Sequence, residues 1–244
     1  PRASTVRLLA DALQLSDAER IEFQRAARAG VTEGVFADVI PALPGPRTIP
    51  APQVRPAQLP AQVVGFAGRL PELRDIDSAP NPAVLVVGAA GVGKTALVIR
   101  WAHAAAGRYP DGQLYVNLQG FDPTRSPVDP TDILYTFLGA LGITASQIPT
   151  DRDGRAALYR SLLTDRRILI VLDNAASAEQ VWPLLPGAAG CLVVIISRDR
   201  LTGLTAREGV TRLSLDVLTP DESVALLTEL LGPVRGAAEP AAAT

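Results

Sequence analysis

The sequence predicts an α/β fold, a parallel sheet with helices on both faces. Three observations carry this. The segments Ala83–Val87, Ile168–Leu172 and Leu192–Ile196 are apolar at nearly every position, the pattern of strands buried on both sides. Amphipathic helical stretches separate them, as parallel strands require because each must cross over the sheet. Between the first strand and the first helix of this pattern lies GAAGVGKT, residues 88–95. It fits G-x-x-x-x-G-K-[ST] in the strand–loop–helix context that gives the motif its meaning.

The 244 residues are enough for one large domain or one and a half ordinary ones. Residues 1–33 form a helical segment. Val6, Leu9, Ala12 and Leu13 mark one apolar face, and Ser16 with Glu19 is a capping-box signature for a second helix carrying Ile21, Phe23, Ala26 and Ala27. Gly30 and Gly34 break that pattern. Residues 34–60 hold Pro41, Pro44, Pro46, Pro50, Pro52, Pro56 and Pro60, an extended, semi-rigid linker. The main block is 61–232. Its strands are Ala83–Val87, Gln113–Asn117, Ile168–Leu172, Leu192–Ile196 and, more weakly, Thr211–Leu215. Its helices are Lys94–Ala106, Thr131–Leu141, Arg155–Leu163 and Asp221–Leu231. Pro220 starts the last helix and Gly232 follows its end. Residues 233–244 are an alanine-rich tail.

Lys94 is the chain's only lysine. An ammonium is a compact point charge, whereas a guanidinium is a broad planar fork. A tight loop closing over phosphate oxygens has room for the first. The other motif residues follow the same logic. Gly88, Gly91 and Gly93 let the backbone turn and aim its N–H groups at an anion. The segment Gly88, Ala89, Ala90, Gly91, Val92, Gly93, Lys94, Thr95 and Ala96 leads into a helix whose N-terminal end is electropositive. Lys94 reaches toward β and γ oxygens and Thr95 offers a hydroxyl to Mg²⁺. These features predict a P-loop NTPase fold, a three-layer sandwich with five parallel strands.

Asp173 ends the third strand, at the rim where such sheets bind ligands. It is the candidate metal-holding acid beside Thr95, with a capping role in the following turn as the alternative. Asn174 occupies the place where a second acid would polarise an attacking water. An amide orients water but cannot take its proton, which predicts slow hydrolysis or binding without turnover. Arg198 follows the fourth strand, next to the metal strand. By position it either contacts a γ-phosphate or belongs to a surface charge cluster with Asp199 and Arg200.

Residues 61–231 resemble the NB-ARC domain of STAND-class signalling ATPases, and most closely its form in actinobacterial AfsR-like and helix-turn-helix regulators. The likeness rests on Phe66–Ala67–Gly68–Arg69, VVGAAGVGKTALVIRWAH, RYPDGQLYVNLQGFDP, RRILIVLDNA, CLVVIISRDRLTGL and LDVLTPDESVALL, in that order. It implies strand order 5-1-4-3-2. It implies that Phe66, Ala67, Gly68 and Arg69 cross the adenine, with Arg69 near the phosphates. It assigns Arg198 as phosphate sensor beside Lys94 and Asp173. The chain ends before the GLPL and MHD-type segments of that family, so one lobe of the cleft is expected. Residues 1–29 resemble the last helices of a Cro/repressor-like helix-turn-helix domain, which implies DNA binding through a recognition helix upstream.

The expected function is an ATP- or ADP-binding switch, with Mg²⁺ and weak ATPase activity, in a transcriptional regulator that forms a homo-oligomer in its ATP state. The alternatives are the core of a defence or cell-death sensor, or a nucleotide-binding scaffold. Guanine reading by N/T-K-x-D would need a second lysine, and no acceptor pocket for a kinase stands out. The net charge of −2 gives no strong field toward nucleic acid or membrane. No apolar run reaches bilayer length. Cys191 is the sole cysteine and is expected to pack as a small hydrophobe, which suits a cytoplasmic protein. Trp101 and Trp182 are expected to pack, and His103 to pack or face solvent. Starting at Pro1 without any methionine, the chain is expected to be a piece of a longer protein.

Overall fold

The computed structural model describes residues 16–21, 55–204 and 209–231. The chain divides into two compact units, 1–52 and 53–244. In the first, residues 17–21 are helical. The Glu19 carboxylate accepts from Ser16 N–H at 2.8 Å and from the Ser16 hydroxyl at 2.5 Å. The remainder of the two predicted N-terminal helices, the linker up to residue 54 and the tail from 232 lie outside the described residues.

The second unit is built on a five-stranded parallel sheet: β1 (Ala83–Gly88), β2 (Gly112–Asn117), β3 (Ile168–Ala175), β4 (Leu192–Ser197) and β5 (Thr211–Leu215). The spatial order is β2-β3-β4-β1-β5, the predicted order read from the other edge. The helices are α1 (Leu70–Asp77), α2 (Lys94–Ala105), α3 (Pro130–Ala140), α4 (Arg152–Leu163), the single turn α5 (Ala178–Val181) and α6 (Pro220–Leu231).

Successive strand residues point to opposite faces, and two separate cores follow. Leu85, Val87, Ile168, Ile170, Leu172, Val193 and Ile195 face a core made with α3 and α4, where Phe137 and Tyr159 stack at 6.0 Å between ring centroids. Val84, Val86, Leu169, Val171, Val194 and Ile196 face the opposite core, with Leu97, Val98, Trp101 and Ala102 of α2 and Ile76 of α1. The apolar runs are continuous because both faces are covered. Trp101 and Cys191 are buried, as expected. The His103 ring nitrogen Nε2 lies 2.8 Å from the Pro60 carbonyl.

Helix starts are set by caps. Asp129 accepts from Thr131 N–H at 2.7 Å with Pro130 at the first helical position of α3. Asp151 accepts from Gly154 N–H at 2.7 Å and begins α4 earlier than the expected Arg155. Two differences from expectation concern the site. Strand β3 runs on to Ala175 with a register shift between Leu172 and Ala175, so Asp173 and Asn174 lie in the strand's irregular end. The stretch before residue 61 also joins the sheet: Ala57 bridges Gln113 of β2 in parallel, and Gln113 N–H donates to Pro56 O at 2.6 Å.

The Tyr159 hydroxyl is buried with no hydrogen-bond partner among the described residues. An unpaired buried hydroxyl carries a desolvation cost and no compensating bond. Tyr159→Phe keeps the stack on Phe137 and is expected to leave the unfolding free energy unchanged or raise it by up to about 1 kcal/mol, read by urea denaturation.

Candidate functional site

Strand alternation puts the site on one side of the sheet. In β3, Leu169, Val171 and then Asp173 share the face covered by α2. In β4, Val194 and Ile196 take that face, and Arg198 continues the same alternation. The start of α2 rests on this face, so the loop joining β1 to α2 meets Asp173 and Arg198 at the carboxyl ends of the strands. A cleft of about 360 Å³ lies there, lined by Ala90, Gly91, Gly93, Lys94, Thr95, Ala96, Asp173 and Arg198 among others. A second, of about 440 Å³, lies toward β5 and is lined by Gly88, Ala89, Val92, Arg198 and residues 214–217. Arg198 borders both.

The loop's backbone explains its glycines. Gly91 and Gly93 have φ of 78° and 95°, and a Cβ on either would meet open space. The left-handed backbone, and not crowding, is what demands glycine there. The first helical bond of α2 runs from Leu97 N–H to Gly93 O at 2.9 Å, leaving the earlier donors without intrahelical partners. The Lys94 ammonium folds back over the loop, donating to Gly88 O at 2.9 Å and Ala89 O at 2.7 Å. With three donors, it keeps one for a ligand. Burial and the nearby Arg198 charge lower the Lys94 pKa, partly offset by Asp173. Two cations facing one carboxylate form a cleft suited to an anion.

Asp173 is buried. Thr95 donates to its two oxygens at 3.1 and 3.2 Å, and the Tyr115 hydroxyl donates to Oδ2 at 3.1 Å. Burial nonetheless raises its pKa, against the hydrogen bonds and Lys94 that lower it. A desolvated carboxylate touching a threonine hydroxyl is a hard-oxygen pair fit for a divalent cation such as Mg²⁺. Burial and the Asp173 charge also push the Tyr115 phenol upward, keeping it a donor.

Asn174 has φ 59°, in the left-handed region that asparagine tolerates better than most residues. Its carbonyl accepts from Gly120 N–H at 2.8 Å.

The Phe66–Arg69 stretch is held by protein partners. Arg69 was expected near the phosphates. Its guanidinium is paired with Glu72 at 2.9 Å and bonded to the Asp216 carbonyl, and it is buried. A buried cation needs such partners, and one of them, Asp216, borders the second cleft. Arg69 N–H donates to Glu222 at 3.0 Å, so Gly68 and Arg69 are joined to the start of α6. Phe66 packs against the α2-side core, with the Arg100 guanidinium 6.0 Å from its ring centroid.

Tyr115 was not foreseen. In sequence it is one more aromatic in a strand. Its role depends on β2–β3 register, in which Tyr115 lies opposite Val171 and Asn117 opposite Asp173. That sets Tyr115 diagonally to Asp173 on one face, within reach of a long side chain.

The fold and the loop–threonine–aspartate arrangement define a P-loop NTPase fold. A profile described as an AAA domain matches residues 79–188. The Regulatory protein AfsR of Streptomyces coelicolor is 45% identical over 202 residues, covering 78% of this chain and 20% of that protein. The AfsR of Streptomyces griseus is 44% identical over 208 residues, covering 81% and 21%. The chain is similar to these AfsR regulatory proteins and spans about one fifth of their length. A solved STAND protein with a tetratricopeptide repeat sensor, from Pyrococcus horikoshii, shares the fold. Its TM-score is 0.52 at 24% identity, covering 75% of this chain and 28% of that one. Among the described residues no helix is long and apolar enough to cross a membrane.

The raised pKa of Asp173 has a stability consequence. The folded state holds this proton more tightly than the unfolded state, so stability falls as pH rises from the ordinary carboxylate value through the raised one. Without Mg²⁺ or nucleotide, Asp173→Asn is therefore expected to be more stable than the parent at neutral pH. That gain should shrink to nothing as pH is lowered to the ordinary carboxylate range, read by urea melts across pH.

Proposed function

We propose that this chain is the ATP/ADP-binding switch module of a STAND-type transcriptional regulator of the NB-ARC kind, with slow ATP hydrolysis. The carrying observation is the Thr95–Asp173 contact beneath a glycine-bent loop whose one lysine faces the same cleft. On this reading the backbone of Gly88 to Ala96 and Lys94 bind the polyphosphate. Thr95 and Asp173 hold Mg²⁺, which bridges and neutralises phosphate oxygens when bound. Arg198 meets the γ-phosphate. The backbone of Phe66, Ala67 and Gly68 reads adenine.

The switch reading follows from charge. ADP and ATP differ by the phosphate that Arg198 would touch, so only the triphosphate engages the cation that follows β4. A ligand shifts a conformational equilibrium only through such a differential interaction. Similarity to proteins called regulatory protein AfsR supports a regulatory setting. DNA binding through an N-terminal domain, homo-oligomerisation with ATP and a cytoplasmic location complete the proposal.

A second reading, a nucleotide-binding scaffold without turnover, is favoured by Asn174. Its amide can orient water but cannot serve as the base. Tightly held ADP in the purified chain, with slow release of phosphate from ATP, supports the switch. Bound guanine nucleotide overturns the adenine assignment, and a complete lack of turnover favours the scaffold. Lys94→Ala is expected to weaken ATP binding by roughly 10- to 100-fold, the worth of a charge-assisted hydrogen bond, measured by calorimetry. Asn174→Asp is expected to bind ATP as the parent does and to hydrolyse it faster.

A further inference from the structure

Phe121 lies in the loop between β2 and α3, outside the phosphate machinery derived above. The Arg198 guanidinium carbon stands 5.3 Å from the centroid of its ring. We propose that Phe121 is a positioning residue: its ring holds the Arg198 guanidinium at the phosphate cleft and so sets how strongly the site prefers a triphosphate to a diphosphate. The proposal rests on the reading of Arg198 as the γ-phosphate contact.

Three observations support it. The first is that Arg198 has no carboxylate within ion-pair distance among the described residues. Its neighbour Asp199 accepts from Arg200 N–H at 2.6 Å. The aromatic face is thus what holds an otherwise exposed, rotamer-rich side chain.

The second is that the loop carrying the ring is fixed to the site. Leu118 N–H donates to Asp173 O and Gly120 N–H to Asn174 O, both at 2.8 Å. The buried Gln180 amide donates to Leu118 O and Val128 O, each at 2.9 Å, and accepts from Ala176 N–H at 3.0 Å. Gly120 presses so close to β3 that a Cβ would meet Ala176 N at 2.4 Å. The arginine is anchored to the same place, because the Ser197 hydroxyl donates to Ala175 O at 2.7 Å. Ring and guanidinium therefore hang from the irregular end of β3 that carries Asp173.

The third is chemical. A ring against the guanidinium face leaves the in-plane N–H donors free for phosphate oxygens. The contact can orient the arginine without consuming its hydrogen bonds. A ring that instead drew Arg198 away from phosphate would have the opposite effect on triphosphate affinity.

Calorimetric titration of the full chain with Mg-ATP and with Mg-ADP tests this. Phe121→Leu removes the aromatic face and keeps apolar bulk. It is expected to lower the ATP-to-ADP affinity ratio by roughly two- to fivefold, the worth of an exposed cation–π contact, with ADP affinity unchanged. Phe121→Tyr is expected to retain the parent ratio. Phe121→Met, a second non-aromatic variant should the leucine protein not fold, is expected to match leucine. In an Arg198→Ala background the leucine substitution should change nothing further. An unchanged or increased ratio in Phe121→Leu, or equal losses for both nucleotides, overturns the proposal while Arg198→Ala still lowers the ratio. If Arg198→Ala itself leaves the ratio intact, the sensor reading fails and the proposal fails with it.

Discussion

The rest of the site depends on one buried negative charge. Asp173 sits at the end of a strand buried along its length, and removing a carboxylate from water is costly unless it is paired and hydrogen-bonded. The protein supplies hydroxyl donors from two elements, Thr95 of α2 and Tyr115 of β2, and an ammonium nearby. These do not fully compensate, since burial still keeps the proton affinity raised. A carboxylate left short of positive charge attracts a divalent cation. Its donors reach it only because α2 starts here and β2 pairs with β3 in this register. A one-residue slip of β2 against β3 would turn Tyr115 to the opposite face and remove a donor from the acid.

Much of this was legible in the sequence, for identifiable reasons. The strands were readable because burial on both faces leaves uninterrupted apolar runs such as ILIVL. The phosphate loop was readable because its residue types are forced by backbone geometry and charge. The sheet order came through family resemblance, since apolar runs carry no information on who neighbours whom. Tyr115, Gln180 and Phe121 could not be found because their roles arise from register and loop closure. Arg69 has partners that only part of the sequence pattern reveals. Glu72 lies three residues on, and that local pairing satisfies the guanidinium within α1's first turn and beside Asp216. Helix α1 itself was missed, although Pro71 and Glu72 mark a helix start and Leu73 and Ile76 its buried side.

Asn174 shows how backbone and chemistry can favour the same residue. The bulged end of β3 needs a residue that tolerates positive φ, and it needs a carbonyl aimed at Gly120. Asparagine meets the first demand through its short polar side chain. Reading Asn174 only as a missing acid overlooks this. Its backbone ties the loop carrying Phe121 to the acid strand, whatever its amide does with water.

The short stretch from Pro56 to Gln58 has a further effect. Strand β2 is the outermost strand on its side, and such a strand normally offers unpaired N–H and C=O groups to any passing chain. Here Pro56 O takes the Gln113 N–H, Gln58 N–H reaches Gln113 O, and the Gln58 side chain covers the Tyr115 N–H. The polypeptide leading into the sheet thus caps one of its two edge strands against intermolecular β-pairing. Proline fits this duty, having no amide hydrogen to offer a newcomer. Copies of this protein brought together at high local concentration are thereby steered away from sheet-to-sheet aggregation along that border.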